Sequence, residues 1–356
     1  MMKTTDISML SLHKRASSFM KETSNKINKS YKEIITEQHA DFGTKLGMRA
    51  AETLEMRQEI DCIKSFLNNN ALTETRLDLS QKALENMATT AQDILNTVSV
   101  ASGNSNPSML EVVINTVKDG LSSFTGSANT SANGKYIFSG INSGVEPLKD
   151  YFSKDSLAKK AFDSALKKFL EDNNIKGING ETEPSAMNGA QMLDFINQLE
   201  KSFADDKYWS ENWSNASSKN IYSRINKFEY REVSTNVNVD AVRKFSLLSV
   251  LSVELLKKDL GKEALNIINE KVVSYAGQVV GGINEQRSNL GFMQSRIHKT
   301  NMVLNNQQEV LQKYFSQLVG VNRDELSVNL QEEIMRLDLS YSMTAKLLKL
   351  SIANYL

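Results

Sequence analysis

INEQRSNLGFMQSRIHKTNMVLNNQQEVLQKYFSQL, residues 283–318, sets Ile283, Leu290, Ile297, Leu304, Leu311 and Leu318 seven positions apart. A branched aliphatic residue at every seventh position keeps one edge of an α-helix turned toward the same partner along its length, the pattern of a coiled-coil seam. No proline follows Pro184, so nothing in the second half of the chain forbids a long helix. A helix from 262 to 319 would run roughly 87 Å.

A second 4-3 ladder lies near the other end of the chain: Met56, Ile60, Ile63, Leu67, Asn70, Glu74, Leu77, Gln81, Leu84, Ala88, Ala91, Leu95 and Val98. Its helix is expected to stop in SGNSNP, 102–107, and another to span Met109 to Phe124. Upstream, residues 3–36 form a helical segment with Met9, Leu12, Ala16 and Phe19 at 3-4-3 spacing, ending near Asp41-Phe42-Gly43. Downstream, helix resumes near Val239, with soft points at Gly261, Gly277 and Gly281-Gly282. A turn at Gly320-Val321-Asn322 precedes a last helix, Asp324 to Tyr355, with apolar stripes through Leu330, Ile334, Leu337, Tyr341 and Leu348 and through Leu339, Met343, Leu347 and Leu350. A helix apolar on more than one face needs neighbours on more than one side. One antiparallel partner, 3–36, covers only one of them.

All three prolines, Pro107, Pro147 and Pro184, fall in the middle, along with loop-like TGSANTSANG (125–134) and GINGETEP (177–184). GKYIFSGINSG, 134–144, brackets Tyr136, Ile137 and Phe138 with glycines and reads as a short strand. Residues 145–237 hold Trp209, Trp213 and many of the aromatics, and read as an inserted domain, α+β or mostly helical. The fold class is therefore mainly α: an elongated rod of long antiparallel helices, going out and coming back, with a short β-hairpin region and a central insert.

Lysine plus arginine and aspartate plus glutamate both number 42, so no global field draws in nucleic acid. No stretch approaches the ~20 apolar residues of a membrane span, and MMKTTDISMLSLHKR lacks the apolar core of a cleaved signal. Cys62, the single cysteine, sits between apolar neighbours and is expected to be buried. His13, His39 and His298 are scattered, without metal-ligand spacing, and there is no P-loop, G-x-S-x-G or G-x-G-x-x-G. Neither catalysis nor a cofactor nor a metal is expected. Arg287, Gln294, Asn301 and Gln308 interleave the ladder and either set its register or lie at its edge. Gly277 and Gly281 are read as tolerated glycines or a hinge rather than a small-residue contact. Tyr208, Trp209 and Trp213 are read as core of the insert rather than a glycan patch.

The C-terminal SYSMTAKLLKLSIANYL, 340–356, is similar to a S-Y-x-x-T-x-K/R-L-x-x-L-S-L-x-N-Y-L pattern, GKYIFSG at 134–140 to a G-x-Y-L/I-F-A/S-G strand, and the stretch with Leu72, Arg76, Leu77, Gln81, Ala83, Leu84 and Met87 to a N-x-x-x-x-x-R-L-x-x-x-Q-x-A-L-x-x-M run. With the helical layout, these make residues 1–145 and 240–356 resemble the flagellin superfamily, and within it the family of hook-associated protein 3, which joins hook to filament. An I-N-T-N start and a Q-A-N-Q-x-P-Q type ending are both absent, which favours the junction family over the filament subunit.

The resemblance implies a structural subunit, exported unfolded by the flagellar type III apparatus and located at the hook–filament junction. Its partners would be copies of itself in a ring, the neighbouring hook-associated protein, flagellin and an export chaperone, with no nucleic acid and no membrane insertion. It implies three domains: 1–42 plus 320–356 as a terminal coiled-coil assembly domain, 43–140 plus 238–319 as a helical bundle, and 141–237 as an inserted outer domain. Assembly would rest on Met9, Leu12, Phe19, Leu337, Tyr341, Leu347, Leu348, Leu350, Ile352 and Leu356. Ile60, Ile63, Leu67, Leu77 and Leu84 would pack within the chain against Ile283, Leu290, Ile297, Leu304, Leu311 and Leu318. The alternatives are flagellin itself and, from another class, a cytoplasmic coiled-coil scaffold.

Overall fold

The computed structural model describes residues 9–41, 43, 46–101, 107–177, 180–258 and 260–353. Its elements are α1 (Met9–Thr36), α2 (Arg49–Ala101), α3 (Pro107–Ala128), β1 (Ser131–Ala132), β2 (Lys135–Tyr136), α4 (Leu157–Asp172), α5 (Gly189–Ala204), α6 (Asp206–Asn212), β3 (Tyr222–Asn226), β4 (Glu229–Glu232), α7 (Asp240–Val250), α8 (Lys262–Val319) and α9 (Arg323–Ala353). The fold is mainly helical, with two small antiparallel hairpins, β1–β2 and β3–β4. Among the described residues no helix is long and apolar enough to cross a membrane. The chain divides into two compact units, 66–302 and 1–65 with 303–356.

The large hydrophobic core lies within 66–302. There α7 is buried nearly all round, which a one-sided apolar stripe would not produce. The hydroxyls of its buried Ser246 and Ser249, and of Ser252 just beyond it, donate to the carbonyls of Val242, Phe245 and Leu248, so polar groups enter the core already satisfied. Phe245 stacks on Phe124 of α3 at 3.8 Å. Gly120 lets α3 close on α2, because a Cβ there would meet Ile94 Cδ1 at 2.8 Å.

Helix does not run unbroken from Val239 to Val319: Leu251–Leu255 form a buried π-helical turn, and α8 starts only at Lys262, after Gly261. Of the glycine soft points within α8, a Cβ at Gly277 or Gly281 would meet nothing within 4 Å. The close approach falls on Gly282, where a Cβ would meet Ala241 at 2.8 Å.

In the insert, Trp209 and Trp213 are each 1% exposed and stack at 5.8 Å, with Tyr151 on Trp213 at 5.4 Å. They are core, as their size and the small insert require. The β2 strand ends at Tyr136, so the expected strand through Phe138 is shorter than its β-propensity suggests. Phe138 and Ser139 turn away to pair with another segment instead: Val237 N–H donates to Phe138 O, and Ser217 N–H to Ser139 O. Gly140 closes that junction at φ 61°, with the carbonyls of Ser217 and Lys219 where a Cβ would stand.

In the other unit α1 packs antiparallel to α9. The segment between α1 and α2 bridges to the turn between α8 and α9: Gln38 pairs with Gly320, His39 N–H donates to Val319 O at 3.0 Å, and Val321 N–H to Glu37 O at 3.3 Å. Asn322 then caps α9, its Oδ1 accepting from the N–H groups of Asp324 and Glu325. Met56, Ile60 and Ile63 of α2 are buried in this unit, as are Leu304 and Val319 of α8. Cys62 is exposed, contrary to the expectation of a buried thiol. Ile60 and Ile63 take the inward edge, and a residue one position before Ile63 is turned about 100° away from it.

Candidate assembly surface

On α2 and α8 the ladders meet. Within 66–302, Ile283, Leu290 and Ile297 are 0%, 4% and 0% exposed, and Leu77 and Leu84 are buried, with Leu67 half-buried. In the other unit Leu304 is buried and Leu311 and Leu318 are half-buried.

Polar groups cross the seam within 66–302. Asn70, fully buried, donates through Nδ2 to Asn301 Oδ1 at 2.7 Å and to Ile225 O at 3.0 Å, and Asn301 Nδ2 reaches Glu74 Oε1 at 3.3 Å. Gln294 donates to Asp78 and Gln81 to the Arg287 carbonyl, while Arg287 lies 3.6 Å from Glu85. These bonds exist in one register only, so Arg287, Gln294 and Asn301 set register as well as edging the seam.

The β3–β4 hairpin is held on the same helices: Asn69 donates to Ser223, and Arg296 donates twice to Glu229, at 2.9 and 2.8 Å. The Arg296 hydrogen bonds pull the Glu229 carboxyl down to about 2. Arg76 reaches the Tyr136 and Ile137 carbonyls, and its burial lowers its pKa. Sequence reasoning missed Glu229 and Arg296, because a local ion pair between an insert hairpin and a distant helix leaves no periodic trace.

The α1–α9 pair is built differently. Its seam is Ala16, Met20, Thr23, Ile27, Ser30 and Ile34 against Leu326, Leu330, Glu333, Leu337, Ser340 and Thr344, a 4-3 spacing on both helices. Only Thr23 in that seam is buried, and the rest are partly covered. No apolar side chain described on either helix is buried. Phe19 is 47% exposed and Tyr341 57%, and Val328, Ile334, Met335, Leu339 and Met343 are exposed as well. Of the remaining residues expected in assembly, Leu337 is half-buried in the seam; the side chains of Met9, Leu12, Leu347, Leu348, Leu350 and Ile352, and all of Leu356, lie outside the described residues.

Charge separates the two helices. Through its described side chains α1 carries Lys14, Arg15, Lys21, Lys26, Lys29 and Lys32 against Glu22 and Glu33. Through its described side chains α9 carries Asp324, Glu325, Glu332, Glu333 and Asp338 against Arg323, Arg336 and Lys346. Glu37 pairs with Arg323 at 3.3 Å at one end, and Lys26 is held by Glu22 at 3.0 Å, a hydrogen bond that raises its pKa.

Among the described residues no three His, Cys, Asp or Glu gather as a metal site.

Residues 7–143 match the bacterial flagellin N-terminal helical region and residues 273–356 the bacterial flagellin C-terminal helical region, together more than half of the chain. Among curated proteins none matches the chain in sequence. In structure, a protein described as flagellar hook-associated, from Vibrio parahaemolyticus, is 10% identical with a TM-score of 0.53, covering 77% of this chain and 99% of its own. The flagellar hook associated protein-3 of Legionella pneumophila is also 10% identical, with a TM-score of 0.50, covering 74% of this chain and 98% of its own. At that identity the likeness is one of fold. With both terminal helical regions matched, the chain belongs to the flagellin superfamily and is a structural component of the bacterial flagellum.

Proposed function

We propose that the chain is the junction subunit between hook and filament, joined to its neighbours through its terminal helices. The observation that carries this reading is that α1 and α9 pack on one another without burying any described apolar side chain, while residues 66–302 hold a full core. Covering Val328, Ile334, Met335, Leu339, Tyr341 and Met343, which are 44% to 66% exposed, offers about 5–10 kcal/mol of gross stabilisation per copy. That is enough to matter against an association cost of about 4–15 kcal/mol, and only when several contacts act together.

The SYSMTAKLLKLSIANYL ending and the shared fold of proteins named for hook association support the junction over the filament subunit. In this reading 1–42 with 320–356 is the assembly domain, 43–140 with 238–319 the bundle and 141–237 an insert. Met9, Leu12, Phe19, Leu337, Tyr341, Leu347, Leu348, Leu350, Ile352 and Leu356 serve subunit contacts, while the α2 and α8 ladders close the chain on itself. The partners are further copies, the adjoining hook-associated protein and flagellin outside the cell, and a chaperone before export.

Deleting residues 322–356 tests the reading. A soluble monomer with an intact 66–302 core that no longer holds filaments on cells is expected. Filaments retained by the truncated chain would overturn it.

A further inference from the structure

α1 and α9 each carry a second stripe on the side away from their shared seam. Residues two positions before each seam residue lie about 200° around the helix, so they face outward. On α1 these are Lys14, Ser18, Lys21, Asn25, Asn28 and Lys32, all exposed. On α9 they are Asp324, Val328, Gln331, Met335, Asp338 and Ser342, also all exposed, with Leu339 beside them at 64%. One stripe holds three lysines and no acid, the other two aspartates and apolar side chains and no base. Among the described residues none of Lys14, Lys21, Lys32, Asp324 or Asp338 forms an ion pair.

We propose that these stripes are the two halves of one interface between copies of this chain, the lysine face of α1 seating on the acidic and apolar face of α9 in the next copy. This rests on the reading of the terminal helices as assembly surface, and it names the partner and the sense of the contact. Charge complementarity selects the occupant: α1 against α1 would set lysines against lysines, and α9 against α9 would set aspartates against aspartates. Two different faces meeting make a heterologous contact, which closes into a ring or continues as a helix.

The register follows from the antiparallel pair within one copy, where Glu37 meets Arg323. If neighbours stand level, α1 of one runs antiparallel to α9 of the next in the same register. Lys32 then faces Asp324 and Glu325, and Lys21 faces Asp338, while Lys14 comes level with exposed Lys346 and adds nothing to the attraction. The lysines are separated by roughly 16.5 Å along the helix and the aspartates by roughly 21 Å. The flexible lysine stem spans that mismatch. Lysine stems laid across Val328, Met335 and Leu339 also cover apolar surface that charge alone would leave wet.

The experiment is a charge swap in the full chain, expressed in flagellated cells in place of the resident subunit. Lys21→Glu with Lys32→Glu on α1, and separately Asp324→Lys with Asp338→Lys on α9, should each cut retained filaments by about tenfold, since like charges then face each other. The chain carrying all four substitutions should recover most of that loss. Each variant is scored for secretion into the medium and, after purification, for its helical melting curve; Lys21, Lys32 and Asp338 point away from the seam and should leave the monomer unchanged, and Asp338→Lys alone serves as the control for Asp324→Lys, which puts a cation in the first turn of α9.

As a direct measurement, zero-length carbodiimide coupling of a mixture of isotope-labelled and unlabelled chains in isolated flagella should join Lys21 or Lys32 to Asp324, Glu325 or Asp338 across copies. Single swaps that hold filaments normally, a fourfold variant no better than either pair, or couplings confined to single copies would each overturn the interface. If that happens while deletion of 322–356 still sheds filaments, the assembly reading stands without it; if the deletion also holds filaments, both fall.

Discussion

Replacing Asn70 tests whether polar groups set the register of the α2–α8 seam. Its amide donates to Asn301 Oδ1 and Ile225 O, and its side chain is fully buried, with its own Oδ1 without a partner. Asn70→Ala removes two hydrogen bonds at about 0.5–1.5 kcal/mol each and strands the Ile225 carbonyl, at about 1–3 kcal/mol. It also removes the unsatisfied Oδ1, a gain of similar size to the stranded carbonyl, so the net loss should be about 1–3 kcal/mol. Asn70→Leu restores an apolar seam position and should cost less, while loosening the pairing of the two helices.

Trp209 and Trp213 lie in the same compact unit, so their fluorescence in a urea titration reads this loss directly as a shift in midpoint. A double-mutant cycle with Asn301→Ala should return a coupling of about 1 kcal/mol. Single losses that add to within about 0.3 kcal/mol, or an Asn70→Ala chain as stable as the parent, would refute the register argument.

Ile297→Ala should cost about 2–5 kcal/mol, because the side chain is fully buried, whereas Leu318→Ala, half-buried at the end of the same ladder, should cost well under half as much; equal shifts in thermal midpoint would contradict the burial gradient. Glu229 has its carboxyl pulled below the ordinary value of 4.5 to about 2 by Arg296, so the stabilisation is present above 4.5 and is lost as the pH falls toward 2. Each pKa unit corresponds to about 1.4 kcal/mol, but Arg296 is 46% exposed and screening leaves about 1 kcal/mol in all; the stability gap between parent and Glu229→Gln should be full at neutral pH and narrow below 4.5, and a gap independent of pH would sink the assignment. Gly140→Ala forces a Cβ into the carbonyls of Ser217 and Lys219 at a left-handed φ, and should lower stability by about 1–3 kcal/mol; a neutral result by calorimetry would mean the junction relaxes freely.

How much the sequence disclosed depended on whether a feature repeats. The two ladders were readable because burial on a helix recurs every three or four residues, and Ile283, Leu290, Ile297 and Leu304 sit where that period puts them. Cys62 was misplaced by a single position, since an apolar neighbourhood in sequence says nothing about which neighbour faces inward. The GKYIFSG segment kept its glycine turns but lost half its strand, because Phe138 pairs with Val237, a partner about a hundred residues away that local propensity cannot see. The same holds for Arg296 and Glu229, and for the choice of Gly282 over Gly277 or Gly281 as the point of close approach. For the terminal helices, the second stripe read from the sequence, Leu339, Met343, Leu347 and Leu350, leaves out Val328 and Met335 of the outward face, and the separation into a lysine face and an aspartate face emerged only once the seam showed which side points out.

That separation bears on how such a chain would assemble. In a contact between unlike faces, each copy gives its α1 face to one neighbour and its α9 face to the other, so a copy inside a closed ring makes two contacts and a copy at the end of an open row makes one. A single contact, covering part of the 5–10 kcal/mol of exposed apolar surface estimated for α9, falls near or below the cost of association. Two contacts exceed it, because the second is made by a copy already held in place. On the proposed contact a free monomer would therefore stay free, and a closed ring would hold. The lysines add little energy through such exposed pairs, about 0.2–1 kcal/mol each, but they discriminate strongly against the wrong pairing of faces. Weak, sign-specific pairs beside an uncovered apolar stripe thus suit a subunit that must remain single until its place is offered on both sides.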